Sequence, residues 1–166
     1  MRSILVVVDG TERTDHALRT AVERADGENA GLVVVNVTPE EEYWRKQDAV
    51  NGVGARTGEG YRWTARQAED SARRAAERSA RLAVGDRDVV WTAVGAVGVP
   101  RTVVLAVAAE YDCEEILVAV SKPQWFGLRR TFERKLGAAF DGLVTAVPTT
   151  TAGSGDGVAP VPEPEV

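Results

Sequence analysis

Four short runs of mostly β-branched apolar residues, at positions 4–8, 32–37, 89–94 and 116–120, are separated by longer stretches whose apolar residues recur every three or four positions. Runs without polar alternation suit strands covered on both faces, and the intervening period suits helices that do the covering. A chain patterned in this way folds as an α/β protein around an open parallel sheet, with right-handed crossovers between successive strands.

The individual elements follow from local signals. After the first run, Thr11 or Thr14 is predicted to cap a helix carrying Ala17, Leu18, Ala21, Val22 and Ala25 on one face, with Gly27 at its end. Pro39 is predicted to stop the second strand. Residues 39–60 hold Glu40-Glu41-Glu42 and then Asn51, Gly52, Gly54, Gly58 and Gly60, which predicts a surface loop with at most a short helix at its start. An alanine stripe from Tyr61 through Ala68, Ala72, Ala76 and Ala80 predicts a long helix closed by Gly85. A third strand is expected over 88–93, followed by a Gly95–Pro100 connection in which Pro100 opens the next helix. Leu128, Phe132, Leu136, Ala139 and Phe140 mark a last helix, and residues 143–147 a short final strand. Residues 149–166 are Gly, Ser, Thr, Pro and Glu-rich and are expected to be a disordered tail, which leaves a single domain over 1–148.

Composition narrows the partners. A net charge of −5 argues against a nucleic-acid surface covering the protein, because neutralising phosphates takes clustered Lys and Arg. Cys113 is the only cysteine, so an intrachain disulfide, a CxxC redox pair and a thiolate zinc site are all excluded, and a buried apolar role is expected for it. No signal peptide precedes the first strand and no apolar stretch reaches the ~18 residues of a membrane span, so a cytoplasmic protein without a membrane partner is predicted.

The first run empties into Asp9-Gly10-Thr11. In an open parallel sheet, ligands are held beyond the carboxyl ends of the strands, so this turn places a carboxylate where a small molecule is read. Other chemistry is missing. The sequence has no GxSxG elbow, no Walker loop, no GxGxxG after the first strand and no HExxH helix, and its only histidine, His16, has no nucleophile motif beside it. No catalytic or metal-binding constellation can be assembled, so a non-catalytic protein is expected, with a slow phosphohydrolase as the weakest alternative.

The order and spacing of these pieces, with Asp9-Gly10-Thr11 after the first strand and Gly98-Val99-Pro100 opening the third major helix, resemble the universal stress protein (UspA) family over about residues 2–148. The resemblance implies a doubly wound, five-stranded parallel sheet with helices on both faces, a homodimer joined through the last strand, and ATP or a related adenine nucleotide as ligand. It implies that Asp9 and a backbone position at Val37 hold the adenosine part. The phosphate-side positions depart from the family pattern: Ser121 and Gln124 stand in place of two loop glycines, Gly127 keeps a third, and Gly137-Ala138 replaces a Gly-Ser pair expected at the start of the last helix. Glycine lets backbone N–H groups approach phosphate oxygens closely, and Pro123 removes one such donor. Weak binding follows.

The same stretch is basic. Lys122, Arg129, Arg130, Arg134 and Lys135 against Glu133 give residues 121–137 a net charge of +4 in an otherwise acidic chain. This reads either as an anion site that replaces backbone cradling with side-chain charge or as a solvated helix face. Trp125 and Phe126 read as a plug over the crevice, a protein-partner patch, or a platform for a base. Two functions remain: a regulatory domain binding an adenine nucleotide or another anionic ligand in stress response, and an interaction protein of the same type that has lost nucleotide and acts through dimerisation or a protein partner.

Overall fold

A computed structural model describes residues 2–57, 64–120 and 131–148. The elements run β1 (Ser3–Val8), α1 (Glu12–Glu28), β2 (Gly31–Pro39), α2 (Glu40–Thr57), α3 (Ala65–Val84), β3 (Trp91–Gly98), α4 (Pro100–Glu110), β4 (Cys113–Val120), α5 (Thr131–Ala139) and β5 (Leu143–Pro148). The strands form one sheet in the order β3-β2-β1-β4-β5, and every pairing is parallel. The chain first winds from β1 outward through β2 to β3, then crosses back to β4 and continues to β5. The order therefore reverses between β1 and β4, which is the switch point of a doubly wound sheet.

Each face has its own helices. On one, α1 and α3 cover Ile4, Val6, Leu32, Val34 and Leu117; on the other, α4 and α5 cover Leu5, Val33, Val35, Ile116 and Val118. This odd-even division along β1, β2 and β4 is the strand period of two, with both sets buried. Near the start of β4 the register against β1 slips, with Ser3 opposite Cys113 but Ile4 opposite Glu115. The extra residue lets Cys113 join the α4/α5 side while Glu115 lies beneath α1, paired with Arg24.

Several boundaries differ from expectation. Residues 40–57 form the helix α2 rather than a loop with a short helical start. Three glutamates in its first turn favour the positive end of the helix dipole, and Tyr43 is buried while neighbouring Trp44 is exposed. α1 runs past Gly27 to Glu28 because Asn29 takes the left-handed conformation (φ 54°) and its N–H reaches the carbonyls of Ala25 and Asp26. β3 begins at Trp91 and absorbs Gly95 to Gly98, which sequence assigned to a connection. The long helix starts at Ala65, behind a capping box between Thr64 and Gln67. Pro100 opens α4 as expected. The expected tail, 149–166, lies outside the described residues.

Candidate functional site

The carboxyl ends of β1 and β4 frame a crevice of about 350 Å³. Its walls are Val7, Val8 and Asp9 from β1, Val118 to Val120 from β4, Val37 from β2, Pro100 at the start of α4, Arg13 in the first turn of α1, and Phe132 and Glu133 in the first turn of α5. It therefore lies at the switch point and is built from the ends of three strands and the first turns of three helices. Val120 and Phe132 come from the two flanks of residues 121–130.

Asp9 is held by its own chain. Its Oδ1 accepts from the Thr11 N–H (2.9 Å), the Thr11 hydroxyl (2.5 Å) and the Thr14 hydroxyl (3.0 Å), and its own N–H donates to Thr14 Oγ1 (3.1 Å). Oδ2 accepts from Arg13 Nη2 at 3.1 Å. The turn needs Gly10, whose φ of +85° a side chain would strain. Partial burial works to raise the Asp9 pKa, but donation from Thr11, Thr14 and Arg13 outweighs it and holds the carboxylate below its ordinary range. Asp9 is thus ionised near neutrality. Thr11 is the N-cap residue of α1, yet its hydroxyl serves Asp9 and makes no cap bond of its own. Neither threonine acts as the side-chain cap that the sequence suggested.

Val37 stands where the sheet opens. β1 stops pairing with β2 at Val8 opposite Asn36, whereas β2 continues through Val37, Thr38 and Pro39 against β3 alone. Among the described residues, no strand pairs with the β1-facing edge of this extension, where backbone groups can meet a ligand.

Of the expected site residues, Asp9 and Val37 line the crevice together, and Thr11 enters only as a donor to Asp9. Gly10 instead borders a groove between α1 and α3. Gly137 and Ala138 lie exposed in the second half of α5 and are not among the crevice walls. Ser121, Lys122, Gln124, Gly127, Arg129 and Arg130, together with Trp125 and Phe126, lie outside the described residues. Two residues were missed by the sequence reading: Arg13 and Thr14 as partners of Asp9. Their signals were the i, i+4 spacing of Asp9 and Arg13 and the threonines two and five positions after the aspartate. His16 is half-buried on α1, and Cys113 is buried with its thiol pushed up to about 11, chiefly by burial. Among the described residues, no group of three or more His, Cys, Asp or Glu side chains is arranged to hold a metal ion, and no helix is long and apolar enough to cross a membrane.

The model of the "Universal stress protein family" matches residues 1–148. No curated protein sequence matches the chain. Solved structures with the same architecture include the universal stress protein UspA from Lactobacillus plantarum, 17% identical with a TM-score of 0.60 and covering 88% of this chain and 97% of that one. A universal stress protein from Archaeoglobus fulgidus in complex with dAMP is 16% identical with a TM-score of 0.55, covering 88% and 97%. A universal stress protein in complex with cAMP is 17% identical with a TM-score of 0.55, covering 90% and 98%. At these identities the likeness concerns the fold.

Proposed function

This chain belongs to the universal stress protein family, and from that premise we propose that it is a non-catalytic, cytoplasmic regulatory domain that binds an adenine nucleotide or a related anionic ligand weakly, as a homodimer, in stress response. The observation that carries the reading is an ionised carboxylate, Asp9, beside the uncovered backbone edge at Val37 in a crevice at the switch point. A carboxylate accepts from ribose hydroxyls, and free backbone groups of an extended strand pair with the edge of a base. The dAMP and cAMP complexes of proteins with this fold support adenine nucleotides as the first ligands to try. On the phosphate side, residues 121–130 bring Lys122, Arg129 and Arg130 into the segment that joins Val120 to α5, both of which border the crevice. Homodimerisation is supported by β5, whose outer edge is unpaired among the described strands and carries the exposed Leu143. The single buried cysteine agrees with a reducing compartment.

One observation favours a second reading, an interaction protein without nucleotide. Both Asp9 oxygens already have protein donors, so the turn is satisfied by itself. Calorimetry with AMP, ADP, ATP and cAMP on the wild type, Gln124→Gly and Asp9→Asn separates the two. Binding that tightens in Gln124→Gly and falls about tenfold in Asp9→Asn supports the nucleotide domain, since one hydrogen bond to a charged group is worth ~1.5–3 kcal/mol. No heat from any nucleotide in the wild type or Gln124→Gly leaves the interaction protein.

A further inference from the structure

The two oxygens of Asp9 are used differently. Oδ1 is fixed by three short-range donors from Thr11 and Thr14, one of them backbone, and stays fixed as long as α1 keeps its first turn. Among the described residues Oδ2 has a single partner, the guanidinium of Arg13, in an ion pair that is close to half exposed on both sides (49% for Arg13 and 41% for Asp9). Exposed pairs of this kind contribute roughly 0–1 kcal/mol. Opening it costs little.

Arg13 is also the only cation among the described residues that line the crevice, where Asp9 and Glu133 supply two acids. An anionic group entering beside the Asp9 carboxylate needs a local positive charge, and a planar guanidinium offers two parallel donors to a phosphate. We infer that Arg13 is the specificity-determining residue of this crevice: it exchanges its Asp9 partner for the anionic group of the ligand and thereby hands Asp9 Oδ2 to a hydroxyl of the same ligand. This rests on the reading of the crevice as a ligand site and names its substrate class, a small organic molecule that carries a phosphate and a neighbouring sugar hydroxyl together. A nucleoside alone must compete with Arg13 for Oδ2. Inorganic phosphate alone engages Arg13 and leaves Oδ2 without a ligand hydroxyl. The anionic and hydroxyl parts are therefore recognised cooperatively, each contact making the other available.

The test is calorimetry of adenosine, AMP and inorganic pyrophosphate against wild type, Arg13→Ala and Arg13→Lys, with adenosine repeated in saturating inorganic phosphate. In the wild type, AMP is expected to bind at least about tenfold tighter than adenosine, and phosphate to strengthen adenosine binding. In Arg13→Ala the AMP preference should collapse to within about twofold, adenosine should bind as tightly as or more tightly than to wild type, and the phosphate effect should vanish; Arg13→Lys should restore part of the preference. Adenosine and AMP binding with the same ratio in wild type and Arg13→Ala overturns the inference while leaving the nucleotide reading standing. Arg13-dependent pyrophosphate binding without any adenosine or AMP binding overturns the adenine reading and keeps Arg13 as the anion-recognising residue. Silence from all three ligands in the wild type overturns both. Circular dichroism of Arg13→Ala excludes misfolding as a cause, and the side chain's exposed position predicts a native spectrum.

Discussion

A methyl group on Gly95 would stand 2.2 Å from the backbone nitrogen of Arg73, 2.7 Å from its Cα and 2.3 Å from the carbonyl oxygen of Glu69. The backbone of α3 thus rests directly on the backbone of β3, and the small side chains Ala68, Ala72, Ala76 and Ala80 let the helix lie this close along its length. Neither partner can yield by turning a side chain. Gly95→Ala is therefore expected to lower stability by about 3 kcal/mol, at the upper end of overpacking costs, read as a lower urea midpoint with an unchanged slope.

Gly137 is the opposite case. It sits in α5 with open space where a Cβ would be and lies off the crevice walls. Gly137→Ala should stabilise the protein by roughly 0.5–1 kcal/mol, the ordinary gain of removing a helical glycine. The family resemblance put Gly137 on the phosphate side, whereas its position in the structure predicts unchanged nucleotide affinity. Urea denaturation and calorimetry on the same variant check both outcomes.

Gly95 and Gly137 also show where sequence reading reached and where it stopped. The four apolar runs and the alanine stripe were legible because burial imposes periods of two and 3.6 on long stretches. Gly95 and Gly98 look like turn residues in a sequence, but at Gly95 the missing Cβ serves a close helix approach within a strand. α2 was missed because it packs lightly against β2 and β3, so its sequence carries little apolar periodicity beyond Tyr43. Asp9 was legible as a carboxylate at a strand end. Its partners Arg13 and Thr14 were not, since spacing alone does not tell a cap from a side-chain cage.

Arg24 and Glu115 tie α1 to the start of β4, far along the helix from the Asp9 turn. Glu115 is 1% exposed and accepts from Arg24 and from the Thr145 hydroxyl of β5 at 2.6 Å. Arg24→Met strands a buried carboxylate and should cost about 3 kcal/mol, whereas adding Glu115→Gln to it should recover most of the loss, because breaking such a pair costs more than replacing both charges. A double-mutant cycle in urea measures the coupling.

Cys113 sets a limit on the alkaline side. Its thiol is pushed up to about 11, first by burial and then by the neighbouring Asp112 carboxylate. A thiol that ionises more readily unfolded than folded contributes stability below its ordinary value of 9.0, and that contribution is lost as pH climbs from 9.0 toward 11. Cys113→Ala should flatten the loss of thermal stability across this window. The native thiol should also react slowly with Ellman's reagent at pH 8 and yield one fast equivalent in denaturant.

Asp9 governs the acid side with the reverse sign. Its carboxyl ionises more readily folded than unfolded, because donation from Thr11, Thr14 and Arg13 prevails over the partial burial that opposes it. The stabilisation is complete above the ordinary value of 3.8 and drains away as pH falls through the lower folded value. Asp9→Asn should remove this component, so the variant loses less stability than wild type between pH 4 and pH 2. Thr14→Val tests the cause. It deletes one donor to Oδ1 and leaves the Asp9 N–H without its acceptor inside a site where Thr14 is buried, at a cost of about 1–3 kcal/mol for an unsatisfied buried group. The Asp9 titration, followed by carbon NMR of its carboxyl, should then move upward toward the ordinary range, and the acid limb of the stability curve should begin at higher pH. A Thr14→Val protein whose Asp9 titrates as in wild type would mean that Thr11 and Arg13 alone hold the carboxylate ionised, and that the cage has one member fewer than its geometry indicates.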